Sequence, residues 1–262
     1  MKGDKMKVLM VGDVFGRIGR DMLFEYAERG FFGADFIIAN IENAAHGRGV
    51  TKQVFDELQK LPIDVFTLGN HIWDCPDIQN ILKYNDNIIR PNNLEGDLPG
   101  EGYMISKAKN GVRIGVINLL GRVNVTPYSK NPFLDAEAVI DRIKDRCDLI
   151  FVDFHAEATS EKIAMGFHLD GKVTAVCGTH THVQTADETI LPNGTGYITD
   201  LGMTGPSVSV LGMDKNIIIN NFKGEIPKRY EPANGKGQFN AVLFDIDMDT
   251  KKTVSIERIN IR

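Results

Sequence analysis

The sequence predicts an α/β protein, a single domain over 1–262 carrying two β-sheets, on three observations. As far as Pro91, short apolar runs alternate with amphipathic segments, the pattern of a mostly parallel sheet covered by helices. From Tyr103 onward apolar runs come in pairs joined by turn residues, so antiparallel strands enter. The two kinds of unit interleave, with no repeat, low-complexity linker or charge run between them, which favours one domain over two.

Taken in order, 7–11 reads as the first strand and 20–29 (RDMLFEYAER) as the first helix, stopped by Gly30. The next strand is 35–41 and the next helix 51–61, with Thr51 as its N-cap. A strand at 65–68, a helix at 76–84 and a short strand at 87–90 complete the first half. These runs lack polar alternation, which suits strands covered on both faces. Residues 103–108 and 112–119 flank Asn110-Gly111, a hairpin signal. A helix over 136–146, with Asp135 as N-cap, precedes a buried strand at 149–154. The run 173–177 is a strand that ends in Gly178-Thr179-His180-Thr181-His182. Residues 189–191 and 196–199 form a second hairpin around Asn193-Gly194, and 239–246 with 253–261 a third.

Composition excludes several function classes. With 42% hydrophobic residues among 262 the chain buries a full core, and a net charge of -5 argues against general affinity for the nucleic acid backbone. Small anionic ligands stay allowed, because a metal reverses the local field. The apolar run near the start is too short for a signal peptide, and no stretch approaches membrane-spanning length. Cys75, Cys147 and Cys177 are scattered and read as reduced thiols. The chain is therefore expected to be cytoplasmic, and it is expected to associate as a homo-oligomer.

The residues just beyond the apolar runs carry the chemistry. Asp13 succeeds the first strand, Glu42-Asn43 the second and Asn70-His71 the third; His155 ends the run at 149–154, and His180 and His182 lie past the run at 173–177. In α/β sheets ligands bind beyond the carboxyl ends of parallel strands, so these residues are expected to converge. Singly, each has a plainer role: Asp13 as a helix cap, Glu42-Asn43 and Asn70-His71 as turns, His155 as a satisfied core histidine. Together, two acids, two amides and three imidazoles suffice for two divalent ions sharing one bridging acid, and oxygen and nitrogen donors without thiolate fit Fe, Mn or Zn better than Ca or Mg. A rival reading takes Gly12, Gly16, Gly19 and Glu42 as a dinucleotide-binding fingerprint, but the spacing is wrong and Asp13 would repel a pyrophosphate.

The order of these residues resembles the calcineurin-like metallophosphoesterases. The strings GDVFGRIGR (12–20), NIENAAHGRG (40–49), TLGNHIWD (67–74), FHAEATSEK (154–162) and GTHTHVQTAD (178–187) are similar to the bacterial YmdB-type branch, and the resemblance runs over nearly the whole chain. It implies a four-layer sandwich of two mixed β-sheets flanked by helices. It further implies a two-metal phosphodiesterase, iron first with manganese or zinc as alternatives, whose substrate is a small phosphodiester. A 2′,3′-cyclic nucleotide is the first candidate and 3′,5′-cAMP the second. One ion would be held by Asp13, Glu42, Asn43 and His182, the other by Glu42, Asn70, His155 and His180. Hydroxide generated between the ions would attack phosphorus, with His71 as the proton donor and Asp74 a candidate partner for it. The wider superfamily begins Asp-x-His, whereas Phe15 stands in that place here; the bridging acid is Glu42, not Asp. His168 is left structural, and Trp73 is given to packing. The competing class is a metal- and nucleotide-binding sensor without useful turnover.

Overall fold

A computed structural model describes residues 5–262. The chain opens with β1 (Lys5–Val11), β2 (Asp13–Val14), α1 (Gly16–Glu28), β3 (Phe36–Asn40), α2 (Lys52–Leu58), β4 (Val65–Thr67), α3 (Ile78–Tyr84) and β5 (Ile88–Ile89). There follow β6 (Tyr103–Lys107), β7 (Arg113–Leu120), α4 (Pro132–Ile143), β8 (Leu149–His155), α5 (Thr159–Leu169) and β9 (Ala175–Thr179). The remainder is β10 (Thr189–Ile190), β11 (Gly196–Ile198), β12 (Met203–Pro206), α6 (Lys215–Phe222), β13 (Gly237–Asp247) and β14 (Lys252–Ile261).

Two mixed sheets result. One runs β2-β12-β13-β1-β3-β4-β5 with β14 paired to β13, the other β10-β11-β9-β8-β7-β6. β1, β3, β4 and β5 are mutually parallel, as are β7, β8, β9 and β11, while the hairpin strands pair antiparallel. Side chains alternate across each strand, so both faces must be buried. Val8, Met10 and Ile38 meet Val116, Phe151 and Cys177 between the sheets. On the outer face of the first sheet Leu9 and Phe66 pack with Leu23 and Phe55 of α1 and α2, and on that of the second Val152 and Phe154 pack with Val139 and Met165 of α4 and α5. Helix, sheet, sheet, helix is the expected four-layer calcineurin-like sandwich, and it explains the continuous apolar runs. Among the described residues no helix is long and apolar enough to cross a membrane.

Local chemistry corrects several boundaries. α1 starts at Gly16, directly after Phe15, and its first turn has no side-chain cap, so Asp13 is free for another task. Thr51 caps α2 by accepting from Val54 N–H, as its sequence position predicts. The cap of α4 is Asn131, which accepts from Phe133 and Leu134, and Pro132 pre-sets the first turn; Asp135 instead accepts from Asn92. α5, α6 and β12 are not among the elements that periodicity predicts. α5 is concealed by Gly166, an interior helix breaker that is needed here because a Cβ would lie 2.5 Å from the Tyr197 ring. Trp73 packs against the outer core, and His168 Nε2 lies 3.3 Å from Glu137 Oε1, far from the strand ends.

Candidate metal centre

At the carboxyl ends of β1, β3, β4, β8 and β9 the fold brings seven expected side chains into one polar cluster. Asp13 and His155 are fully buried, Glu42 and Asn43 nearly so, and Asn70, His180 and His182 are partly exposed toward a cleft. Glu42, His155 and His180 offer donor atoms that all lie within 4.8 Å of one another. Gly69 permits this approach, since a Cβ there would lie 2.3 Å from Glu42 Oε2 and 2.5 Å from the His155 ring.

Hydrogen bonds fix which atoms face inward. His155 Nδ1 lies 2.9 Å from Thr179 Oγ1, and that hydroxyl donates to Asp153 at 2.7 Å, so Nδ1 is the protonated nitrogen. Its Nε2 then points at Asn70 Oδ1 at 2.9 Å, His180 Nδ1 at 3.0 Å and Glu42 Oε1 at 3.1 Å. His180 Nε2 meets the Glu157 carboxylate at 3.0 Å, which places its proton there and leaves the Nδ1 lone pair facing His155. Four acceptor atoms converge on one point. Only a cation or an extra proton reconciles them.

The other side of the cluster has the same character. His182 Nδ1 lies 3.0 Å from the Leu211 carbonyl, so Nε2 turns inward to Asn43 at 3.1 Å. Asn43 Nδ2 also donates to Glu42 Oε1 at 3.0 Å. The amide therefore presents its nitrogen, and a half-turn of the amide plane would present its oxygen. Asp13 Oδ2 accepts the His180 backbone N–H at 3.1 Å, whereas its buried Oδ1 has no hydrogen-bond partner among the described residues. Both histidines of the His-x-His loop have positive φ, 105° at His180 and 63° at His182, a strained conformation for non-glycine residues.

Charge in so dry a place shifts the titrations. Burial pushes the Asp13 carboxyl up to about 6 against the pull of His182 and His155. Burial also raises Glu42, but His155 beside it wins and brings it to about 2. His155 loses basicity by burial and regains more from Glu42, Asp13 and Asp153, reaching about 9. Burial, then repulsion from His155, drives His180 down to about 3. For the protein groups by themselves, the proton on His155 does the work of a cation.

His71 stands at the cleft rim. Its backbone N–H donates to Glu42 Oε2 at 3.0 Å and its Nδ1 meets Asp74 Oδ2 at 2.9 Å, the contact that spacing alone left open. Among the described residues no protein atom bonds its Nε2. Phe15 packs its ring edge-on to His182, with centroids 5.6 Å apart.

Three supports have no clear mark in the sequence. Buried Asp153 accepts from Asn40 and Thr67 of one sheet and Thr179 of the other, at 3.0, 2.5 and 2.7 Å, tying the sheets together beneath the cluster. Lys162 and Asp200, both fully buried, pair at 2.6 Å, and Asp200 also accepts the Thr181 N–H and hydroxyl, which pins the His-x-His loop. Glu157 orients His180. The only hint lay in FHAEATSEK, which holds Glu157 and Lys162. Two of the three glycines of the rival fingerprint serve packing: a Cβ on Gly12 would lie 2.1 Å from the Gly202 carbonyl, and one on Gly19 2.4 Å from that of Thr204. Backbone already occupies the space that a pyrophosphate would need beside them.

Architecture and polar end together define the class, a calcineurin-like phosphoesterase. The model of the YmdB-like protein family matches residues 9–259, and the chain belongs to that family. The 2′,3′-cyclic-nucleotide 2′-phosphodiesterase of Bacillus subtilis (strain 168) is 48% identical over 258 residues, covering 98% of this chain and 97% of that protein. A crystal structure of a novel phosphatase from Mycoplasma pneumoniae superposes with a TM-score of 0.91 at 35% identity, covering 99% of this chain and 94% of that one. A crystal structure of a hypothetical protein from Thermus thermophilus gives a TM-score of 0.90 at 33% identity, over 97% of this chain and 98% of the other.

Proposed function

We propose that the protein is a cytoplasmic, binuclear metal-dependent phosphodiesterase that hydrolyses 2′,3′-cyclic nucleotides and releases the 2′ oxygen. The observation that carries this reading is the convergence of Glu42 Oε1, Asn70 Oδ1 and His180 Nδ1 on His155 Nε2 at 2.9 to 3.1 Å, together with the orphaned Oδ1 of Asp13. The similarity to the Bacillus subtilis enzyme supports the substrate class, with 3′,5′-cAMP the second candidate.

Asp13, Glu42, Asn43 and His182 would hold one ion and Glu42, Asn70, His155 and His180 the other, with Glu42 shared. Bound there, iron (or manganese or zinc) supplies Lewis acidity toward the phosphate and an activated water at neutral pH. The chain's own groups do the rest. Thr179 and Glu157 hold the outward N–H groups of His155 and His180, so that their other nitrogens face the ion, Asp13 and Glu42 supply negative charge, and Asn43 and Asn70 adapt their amides to it. His71, held by Asp74, donates a proton from Nε2 to the departing ribose oxygen, which is a poor leaving group without one. A hollow of about 350 Å³, walled by His71, Leu211, Ile218 and Phe222, takes the nucleoside. The active form is a homo-oligomer.

Metal-reconstituted protein assayed on 2′,3′- and 3′,5′-cyclic nucleotides and simple phosphomonoesters tests the reading. His71→Ala is expected to keep its metal and lose about 10² to 10⁴ in rate on a 2′,3′-cyclic nucleotide. Unchanged turnover would remove His71 from the chemistry, and an inactive parent protein would favour a sensor.

A further inference from the structure

A second hollow lies beside the cleft that His71 borders. The hollow that takes the nucleoside borders this second one, of about 630 Å³, and Arg48, Met213 and Tyr230 line both. The second hollow is walled by Arg229 and by the turn that carries Cys75 and Asp74, the partner of His71. Its charge is opposite to that of the metal cluster. Asp74 is its acid, but Oδ2 is committed to His71 Nδ1 at 2.9 Å, and Arg48 reaches that carboxylate only at 4.0 Å. Among the described residues Arg229 has no ion-pair partner, and the Tyr230 ring beside it is 46% exposed.

We propose that this second hollow is a subsite for a phosphate on the 5′ oxygen of the substrate nucleotide, so that the preferred substrate is larger than a plain cyclic mononucleotide. The inference rests on the phosphodiesterase reading for its direction. With the cyclic phosphate over the acid and histidine cluster and the 2′ oxygen at His71, the ribose extends past His71, and its 5′ substituent is the part that reaches Arg48 and Arg229. Two guanidiniums match a phosphodiester or phosphomonoester, and a half-exposed tyrosine offers a face for the next base. Either a 5′-phosphorylated mononucleotide or the end of an oligonucleotide has this chemistry. Cleavage of RNA through its own 2′ hydroxyl produces ends of the second kind.

The test compares adenosine 2′,3′-cyclic phosphate, its 5′-phosphorylated form and the dinucleotide ApA ending in a 2′,3′-cyclic phosphate on the metal-loaded full chain. A charged hydrogen-bond pair gained at the subsite is expected to lower KM by about ten- to hundredfold for the second and third substrates. Arg229→Gln is expected to erase that advantage while leaving turnover of the plain cyclic mononucleotide within about twofold, and Arg229→Lys to restore part of it. A further gain for the dinucleotide that disappears in Tyr230→Ala assigns the subsite to oligonucleotide ends; equal gains assign it to 5′-phosphorylated mononucleotides. Equal KM for all three substrates, or an advantage that survives Arg229→Gln, overturns the proposal. Calorimetric binding of adenosine 3′,5′-bisphosphate against 3′-AMP decides the same point without turnover. An inactive parent that still binds the bisphosphate about tenfold more tightly, through Arg229, would therefore refute the phosphodiesterase reading and keep the subsite.

Discussion

His155 and His182, on opposite sides of the polar cluster, are aimed by different means. His155 is fully buried and receives its orientation from Thr179, which is held by the buried carboxylate of Asp153; its neighbour His180 is set by Glu157. His182 is partly exposed and is set by the carbonyl of Leu211 in a loop and by the edge of Phe15. Carboxylate-backed imidazoles are better donors and lose less freedom on binding than one backed by a loop carbonyl. The two halves of one site are thus built unequally, and a cation on the His155 side is expected to be retained when one on the His182 side exchanges.

The largest disturbance removes the acid common to both halves. Glu42→Gln is expected to lower metal content from two ions per chain toward one or none and to cut hydrolysis by about 10³-fold or more, read by elemental analysis and initial rates. Two retained ions would show that Glu42 is not shared. Next comes the loop that carries both exposed imidazoles. Lys162→Met leaves Asp200 buried without its cation and is expected to cost about 3–5 kcal/mol of unfolding free energy in denaturant titration, with loss of both ions.

A change confined to one half separates the two sides. Glu157→Gln is expected to weaken the His155-side ion by about ten- to hundredfold in a chelator competition, and the His182-side ion hardly at all. Equal weakening of both would erase the distinction between the halves. The effect that needs no substitution is in pH. Acids around His155 hold its proton to about pH 9, so that proton competes with the cation below this value. Affinity on the His155 side is expected to rise with pH by up to about tenfold per unit and to level off near 9. A fall with rising pH between 6 and 9 would contradict the assignment of His155 as a ligand.

Where the strands end, and what stands there, is written in the order of residues alone. Asp13, Glu42, Asn43, Asn70, His71, His155, His180 and His182 were legible because continuous apolar runs mark doubly covered strands, and the residues just beyond such runs share one end of the sheet. Hairpins at Asn110-Gly111 and Asn193-Gly194 and the cap at Thr51 were legible because their chemistry is local. α5 was not, since its interior glycine answers to Tyr197 on a different strand.

Which nitrogen of each histidine faces inward is settled only once the chain has folded. That choice belongs to partners far along the chain: Asn70 meets His155 across 85 residues, and Asn43 meets His182 across 139. Asp153, Lys162 and Asp200 sit in the sequence as ordinary charged residues. They become the supports of the site because folding removes their water: Asp153 is left to accept from Asn40, Thr67 and Thr179, and Lys162 to pair with Asp200, which holds the His-x-His loop.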